Sequence, residues 1–189
     1  MMMNIYMIGV GGQGIGLLSE VLIRAADLAG LPVRGVDTHG LAQRGGTVES
    51  HLRIGEELFS PLVQPGHADC VIALERHEAM RGMISYSKIG GSAVYYDAVW
   101  QPLSVRLGRT AKQEIDALEK KAVEKNITLH RVFDEQLEDT RMQNVVLLGY
   151  LCKNNVIAGI ERRHYEQALS DLLSGHVLEK NMKVFTRHA

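Results

Sequence analysis

A cluster of glycines near the start of the chain limits the possible folds more than any other feature. The apolar run 5–8 is typical of a buried parallel strand, and glycines follow at 9, 11, 12, 14 and 16. Apolar residues then recur at helical spacing from 15 to 29, and 33–37 predicts a second strand. The chain therefore opens as strand, glycine loop, helix and strand, the first βαβ unit of a nucleotide-binding type of fold.

Strands and helices alternate through the rest of the chain, with a break expected at Gly90-Gly91. This order predicts an α/β fold, a three-layer Rossmann-like domain with a mostly parallel sheet. A length of 189 residues fits one domain, 1–189. Further strands are predicted at 47–54, 70–74, 93–96 and 128–133, and further helices at 76–86, 111–125, 143–152, 162–173 and 177–185.

Composition excludes several classes of function. The formal net charge is −1, so bulk attraction to nucleic acid or to an anionic membrane is not expected. The apolar runs are too short for a membrane span, and the N-terminus does not read as a signal peptide, so we expect a cytoplasmic protein. Cys70 and Cys152 lie far apart in apolar runs, so the chain does not ligate an iron–sulfur cluster by itself.

The first loop, Gly9-Val10-Gly11-Gly12-Gln13-Gly14, matches the pattern G-x-G-x-x-G. Gly9 suits a tight turn, Gly11 and Gly12 allow close backbone approach, and Gly14 allows close packing of helix on strand. Amides at the helix N-terminus would form an anion site, and the Gln13 amide suits a specific polar contact. Asp37 stands near where a ribose-binding acid is expected. The alternative is that these glycines serve tight packing at a subunit contact.

The second loop, 38–46, is polar and ends in two glycines. Thr38, Gln43, Arg44, Gly45 and Gly46 are candidate cofactor-binding residues. The Arg44 guanidinium suits a phosphate or carboxylate, or a structural ion pair between subunits. Thr38 and Gln43 either contact a ligand or partner or serve turn chemistry, and the neighbouring His39 fits a structural role better than proton transfer. We expect both loops to lie side by side at the carboxyl ends of the sheet and to face outward.

Two further positions carry expectations. The alternation over 47–54 places Glu49, His51 and Arg53 on one face, which predicts an exposed or partner-facing surface of the sheet. Asn144 lies inside an apolar helix and is expected to satisfy a buried backbone or loop group, with the glycine loop as the candidate. Neither a metal site nor a catalytic set of residues is visible.

The paired loops also carry a resemblance to a known family. Residues 9–14, Gly-Leu-Ala-Gln-Arg-Gly-Gly-Thr-Val at 40–48 and His-Leu-Arg-Ile-Gly at 51–55 resemble the gamma subunit or domain of 2-oxoacid:ferredoxin oxidoreductases. The small subunit of the indolepyruvate-oxidising members looks most similar. The resemblance continues through 144–149 and 179–181, so it covers nearly the whole chain.

The resemblance implies a subunit that is not catalytic alone. Thiamine diphosphate, Mg and iron–sulfur clusters would lie in partner subunits, coenzyme A would be the co-substrate, and electrons would pass to ferredoxin through the complex. No cofactor is expected on this chain alone, and the isolated chain is a candidate homodimer. Two other functions stay open at this point: a stand-alone NAD- or FAD-binding Rossmann protein, and a non-enzymatic scaffold or ligand-sensing module.

Overall fold

The computed structural model describes residues 2–38, 46–100, 105, 107–109, 111, 112 and 114–189. The strands in this part of the chain are β1 (Met3–Val10), β2 (Val33–Thr38), β3 (Thr47–Ile54), β4 (Ala68–Ala73), β5 (Ser87–Tyr96) and β6 (Thr128–Val132). The helices are α1 (Ile15–Leu28), α2 (Arg76–Ser85), α3 (Ile115–Glu124), α4 (Gln143–Lys153), α5 (Arg162–Leu172) and α6 (Gly175–His188). A 3₁₀ turn, Thr140–Met142, leads into α4.

The described strands form one sheet in the order β2-β3-β1-β4-β5-β6. β1, β4, β5 and β6 pair in parallel, whereas β3 runs antiparallel to both β1 and β2. β1 and β4 lie at the centre and are apolar on both faces, as expected of strands covered on both sides. The predicted α/β class with a mostly parallel sheet is confirmed.

Alternate residues of the central strands enter two apolar cores. Ile5, Met7 and Ile72 pack with residues of α1, α4, α5 and α6 on one face. Tyr6 and Ile8 pack with α2 and α3 on the other face. Helices therefore cover both faces at the centre of the sheet, and the loops at its edge are carried by rigid elements.

The predicted βαβ opening is wrong in one respect. β2 follows α1 as expected but does not pair with β1, because β3 is inserted between them and pairs with both. Sequence periodicity predicts the existence of a strand but not its neighbours, so this insertion was not foreseen. The consequence is that Asp37 lies one strand further from the glycine loop than in a Rossmann unit.

Two local expectations also fail. His51 is buried, since its ring contacts the rings of Tyr6 and Tyr86 and its Nδ1 accepts a hydrogen bond from the Val63 amide at 3.2 Å. Gly90-Gly91 does not interrupt the chain but lies within β5, where the pairing register with β4 shifts. Gly90 has a φ of 75°, a left-handed conformation that glycine adopts without strain. The glycine pair thus accommodates an irregular strand.

Candidate functional site

The glycine loop joins the carboxyl end of β1 to α1 at the centre of the sheet. Gly9 and Val10 still belong to β1 and pair with β3. The Gly11 amide then donates a hydrogen bond to the Gly46 carbonyl at 2.8 Å, which ties the first loop to the end of the second. Open-sheet α/β proteins bind ligands outside the carboxyl ends of their strands. The first loop lies at that edge, in contact with the residue that precedes β3.

Gln13 holds the loop from inside. It is completely buried; its Oε1 accepts a hydrogen bond from the Val10 amide at 2.7 Å, and its Nε2 donates to the Leu74 carbonyl at 3.0 Å. The specific polar contact expected of this amide therefore lies within the chain. Gln13 fastens the loop to the segment that follows β4 and does not extend outward.

Gly14 and Asn144 fix the start of α1. Gly14 has a φ of 85°, and a Cβ at this position would lie 2.5 Å from Asn144 Nδ2. That same Nδ2 donates a hydrogen bond to the Gly14 carbonyl at 3.1 Å. The expectation that Asn144 supports the glycine loop is confirmed, and Gly14 is required by both its backbone conformation and this close contact.

The N-termini of α1 and α2 lie at the same edge but differ in capping. α2 is capped by Glu75, whose carboxylate accepts a hydrogen bond from the Glu78 amide at 3.0 Å. No described side chain caps α1, and its first turn carries no acidic residue. A Cβ at Gly12 or Gly16 would meet nothing within 4 Å. Because the first amides of a helix lack partners within it, the start of α1 is the better anion site of the two.

The second loop is described only at its ends. The backbone of Thr38 pairs with Glu49, and Gly46 accepts the hydrogen bond from Gly11. His39, Gln43, Arg44 and Gly45 lie outside the described residues. The ends of the two loops are therefore neighbours, and the roles of Gln43, Arg44 and Gly45 remain predictions.

Buried carboxyl groups lie beside the loops, and sequence reasoning missed them. Burial raises the pKa of Glu75 to about 7 and also raises the pKa of Glu78. Glu78 accepts a hydrogen bond from the Thr47 hydroxyl at 3.3 Å and lies 3.4 Å from Arg81 Nε. The Arg81 guanidinium also donates to Thr47 Oγ1 at 3.1 Å. This cluster fastens the start of β3, next to Gly46, to α2.

A second ionic group stands at the ends of β5 and β6. The buried Asp97 carboxylate receives Arg76 Nη2 and Arg131 Nη2, each at 2.6 Å. The backbone amide of Trp100 donates to Glu75 Oε1 at 3.3 Å. Asp97 follows β5 directly and Glu75 follows β4 after one residue, positions where polar residues often serve a site, and that signal was available in the sequence.

Asp37 does not meet the requirement for a ribose-binding acid. It accepts a hydrogen bond from the Ser50 hydroxyl, whose oxygen in turn accepts from the Ser19 hydroxyl at 2.8 Å. The carboxylate is thus engaged with β3 and α1 inside the chain. Among the described residues, no helix is long and apolar enough to cross a membrane, and no group of three or more metal-ligating side chains occurs.

Comparison with known proteins identifies the family of this fold. The family model described as pyruvate ferredoxin/flavodoxin oxidoreductase matches residues 4–188. The chain belongs to this family. It is 35% identical to the indolepyruvate oxidoreductase subunit IorB of Archaeoglobus fulgidus. The alignment covers 97% of this chain and 92% of that relative. The resemblance drawn from the two loops is confirmed.

Solved structures share the fold of this chain. The pyruvate oxidoreductase subunit PORC of Thermotoga maritima superposes with a TM-score of 0.71 at 20% identity, covering 99% of this chain and 94% of that subunit. The 2-oxoglutarate:ferredoxin oxidoreductase of Magnetococcus marinus gives a TM-score of 0.72 at 20% identity and covers 99% of this chain. The match covers 30% of that longer chain, so the fold also occurs there as one part of a larger polypeptide.

These matches confirm the predicted gamma-type small subunit. They do not favour a stand-alone NAD- or FAD-binding protein. The inserted strand β3 and the engaged Asp37 give the physical reason, because the Rossmann site needs the second strand next to the first and an acid free to meet the ribose.

Proposed function

We propose that this chain is the gamma-type subunit of a cytoplasmic, multisubunit 2-oxoacid:ferredoxin oxidoreductase whose larger partner carries the chemistry. The partner would bind thiamine diphosphate, Mg and iron–sulfur clusters, decarboxylate the 2-oxo acid, transfer the acyl group to coenzyme A and pass electrons to ferredoxin. The two cysteines of this chain are both free and cannot supply the four ligands that a cluster requires. In this division of labour the chain would not be catalytic alone.

The proposed substrate is an aryl 2-oxo acid such as indolepyruvate. The support is the similarity to the indolepyruvate oxidoreductase subunit IorB of Archaeoglobus fulgidus, which is 35% identical over nearly the whole chain. Selection of the 2-oxo acid would take place in the pocket of the partner. We also propose that residues 1–189 form one gamma-type domain, in keeping with a family match over 4–188.

The uncapped N-terminus of α1 carries the proposed role of the site. The phosphate groups of coenzyme A are the anions that would meet the amides of the first turn, in the open space next to Gly12 and Gly16. The 2-oxoglutarate:ferredoxin oxidoreductase of Magnetococcus marinus, which shares the fold, was solved with coenzyme A and succinyl-CoA bound. Gly9, Gly11, Gln13 and Gly14 would hold the loop in shape, and the second loop would complete the site through Thr38, Gln43, Arg44, Gly45 and Gly46.

Gly16→Asp tests this role by adding a negative charge where the anion would bind. A Cβ at Gly16 meets no neighbour, and an acidic residue in a first helical turn is favourable, so the isolated chain should fold as well as wild type. Co-expressed with the thiamine-binding chain, the variant should raise KM for coenzyme A about tenfold while kcat changes little. Gly16→Asn is the matched neutral control.

The two variants distinguish the proposed role from its alternatives. Equal rises in KM for Asp and Asn would show that bulk rather than charge matters, and the anion site would be wrong. An unchanged KM with a weakened complex would make the loop a subunit contact. The subunit role as a whole would be overturned if the partner reduced ferredoxin or a dye at the same rate when this chain is omitted.

A further inference from the structure

Among the described elements, helices cover the part of the sheet formed by β2 and β3 on one side only. α1 covers these strands on the first face, where Ile23 packs against Gly35 and Ser19 contacts Ser50. On the second face, α2 packs on β1, β4 and β5, and α3 packs on α2 and β6. A loop lies on the second face instead: within the segment 55–66, the Ser60 carbonyl contacts Arg53 and the Val63 amide contacts His51.

Two arginines stand directly opposite each other on that second face. Arg34 of β2 pairs in register with Arg53 of β3, which places both side chains on the same side of the sheet. Like charges in directly opposed positions are destabilising. Arg53 donates to Asn4 Oδ1 and to the Ser60 carbonyl, both at 2.9 Å, and these acceptors are neutral. In the part of the chain that the structure describes, neither arginine has an ion-pair partner.

Apolar side chains are held out beside the arginines. Phe59 is 94% exposed and Leu62 is 51% exposed. The segment that carries them is anchored: Leu58 and Val63 are buried, and the Ser60 hydroxyl accepts a hydrogen bond from the Leu62 amide at 3.2 Å. Exposed apolar side chains on a fixed loop, next to arginines, resemble the anchors that dominate protein interfaces.

Two grooves lie beside the arginines, and Phe59 lines the first of them. One, of about 580 Å³, is lined by Arg34 together with Leu58 and Phe59, and Glu57 also lines it. The other, of about 490 Å³, is lined by Arg53, Leu62 and Met2. Each groove thus places one arginine near apolar side chains. An apolar side chain of a partner, with a carboxylate next to it, fits either groove.

We infer that this surface, named here the β2–β3 face and formed by Arg34, Arg53, Phe59 and Leu62, docks a carboxylate-bearing segment of the larger partner subunit. The inference rests on the proposed function. A carboxylate from the partner would offset the repulsion between Arg34 and Arg53, and its apolar side chains would cover Phe59 and Leu62. A second copy of this chain would bring two more arginines to the same place, so charge disfavours a homodimer through this face.

The test measures binding of the full chain to the co-expressed larger subunit. Phe59→Ser and Arg34→Glu alter exposed side chains. The isolated Phe59→Ser variant should melt as wild type does, and Arg34→Glu should melt at the same temperature or slightly higher, because it places a carboxylate opposite Arg53. Each should weaken the complex about tenfold or more. For the wild type, affinity should fall with added salt, and Arg34→Glu should remove much of that dependence. Val123→Ser and Lys120→Glu on α3 are matched controls for an exposed apolar and an exposed basic residue, with binding within about twofold of wild type.

Each outcome has a distinct meaning. A wild-type complex that both variants match within about twofold overturns the β2–β3 face as the docking site. An isolated wild-type dimer that Phe59→Ser converts to a monomer assigns the face to a second copy and also overturns the inference. Failure of the wild-type chain to bind the larger subunit at all would refute the proposed function instead, whatever the variants do.

Discussion

Gly14 and Asn144 are coupled, and a double-mutant cycle measures the coupling. Gly14→Ala puts a residue with a Cβ at a φ of 85°, a left-handed conformation that costs about 1–2 kcal/mol. The new Cβ would lie 2.5 Å from Asn144 Nδ2, so the amide must turn away and its 3.1 Å hydrogen bond to the Gly14 carbonyl is lost. That loss adds about 1 kcal/mol, which gives a total of about 2–3 kcal/mol.

Asn144→Ala removes the same hydrogen bond and the acceptor of the Val145 amide, at a cost of about 1–2 kcal/mol. In the double variant the lost bond is counted once and no amide obstructs the Cβ. The double variant should therefore be about 1 kcal/mol more stable than the sum of the single effects predicts. Urea unfolding followed by fluorescence of Trp100, the single tryptophan, gives the four free energies of unfolding that the cycle needs.

Gly16→Ala is the control for this cycle. Gly16 lies in the same helix, its Cβ would meet no atom within 4 Å, and alanine favours helix, so stability should be unchanged or rise by up to about 1 kcal/mol. Strict additivity of Gly14→Ala and Asn144→Ala would refute the close contact at the start of α1. The shape of the glycine loop described above would then be wrong.

Three further outcomes are expected of the isolated chain. Burial raises the folded pKa of Glu75 to about 7 from an ordinary value of 4.5, so the ionised carboxyl group opposes folding increasingly as pH rises between these values. The unfolding free energy of Glu75→Gln, measured in urea, should therefore gain about 1–3 kcal/mol relative to wild type from pH 5 to pH 8. A difference that stays constant with pH would contradict this. Asp97→Ala leaves Arg76 and Arg131 without their shared carboxylate and should cost about 3 kcal/mol in unfolding free energy, whereas a cost below about 1 kcal/mol would show that the ionic group is unimportant. NADH should leave the melting temperature unchanged, because Asp37 is bonded to Ser50; a clear rise would restore the dinucleotide-binding interpretation.

Sequence periodicity predicted the elements well because their apolar patterns are strong. The helix at 143–152 is observed as Gln143–Lys153, and the strand at 47–54 has the same bounds. Neighbours within the sheet were not predictable in the same way. The order β2-β3-β1 depends on which strands pair, and alternation within a strand contains no information on its partner.

The candidate site was predicted in its backbone more than in its side chains. Glycine spacing located the loop and the start of α1, since backbone conformation there depends on local residue type. The internal role of Gln13 and the buried state of His51 depend on residues far along the chain, Leu74 and Tyr86, which local patterns do not reveal. Glu78 was missed for the same reason, since its burial and raised pKa arise from tertiary packing, whereas the position of Glu75 just after a buried strand was a signal available in the sequence.

The inserted strand β3 bears on the disfavoured dinucleotide interpretation and on both proposed contacts. By pairing with β1 it occupies the place that a Rossmann fold gives to β2, so the glycine loop has Gly46 beside it rather than an acid for a ribose. The proposed anion site at the amides of α1 does not depend on such an acid. The other end of the same strand carries Arg53 to the β2–β3 face, about 23 Å from Gly46 for a rise of about 3.3 Å over each of the intervening residue steps. A rigid strand thus fixes the position of the glycine loop relative to a docked partner.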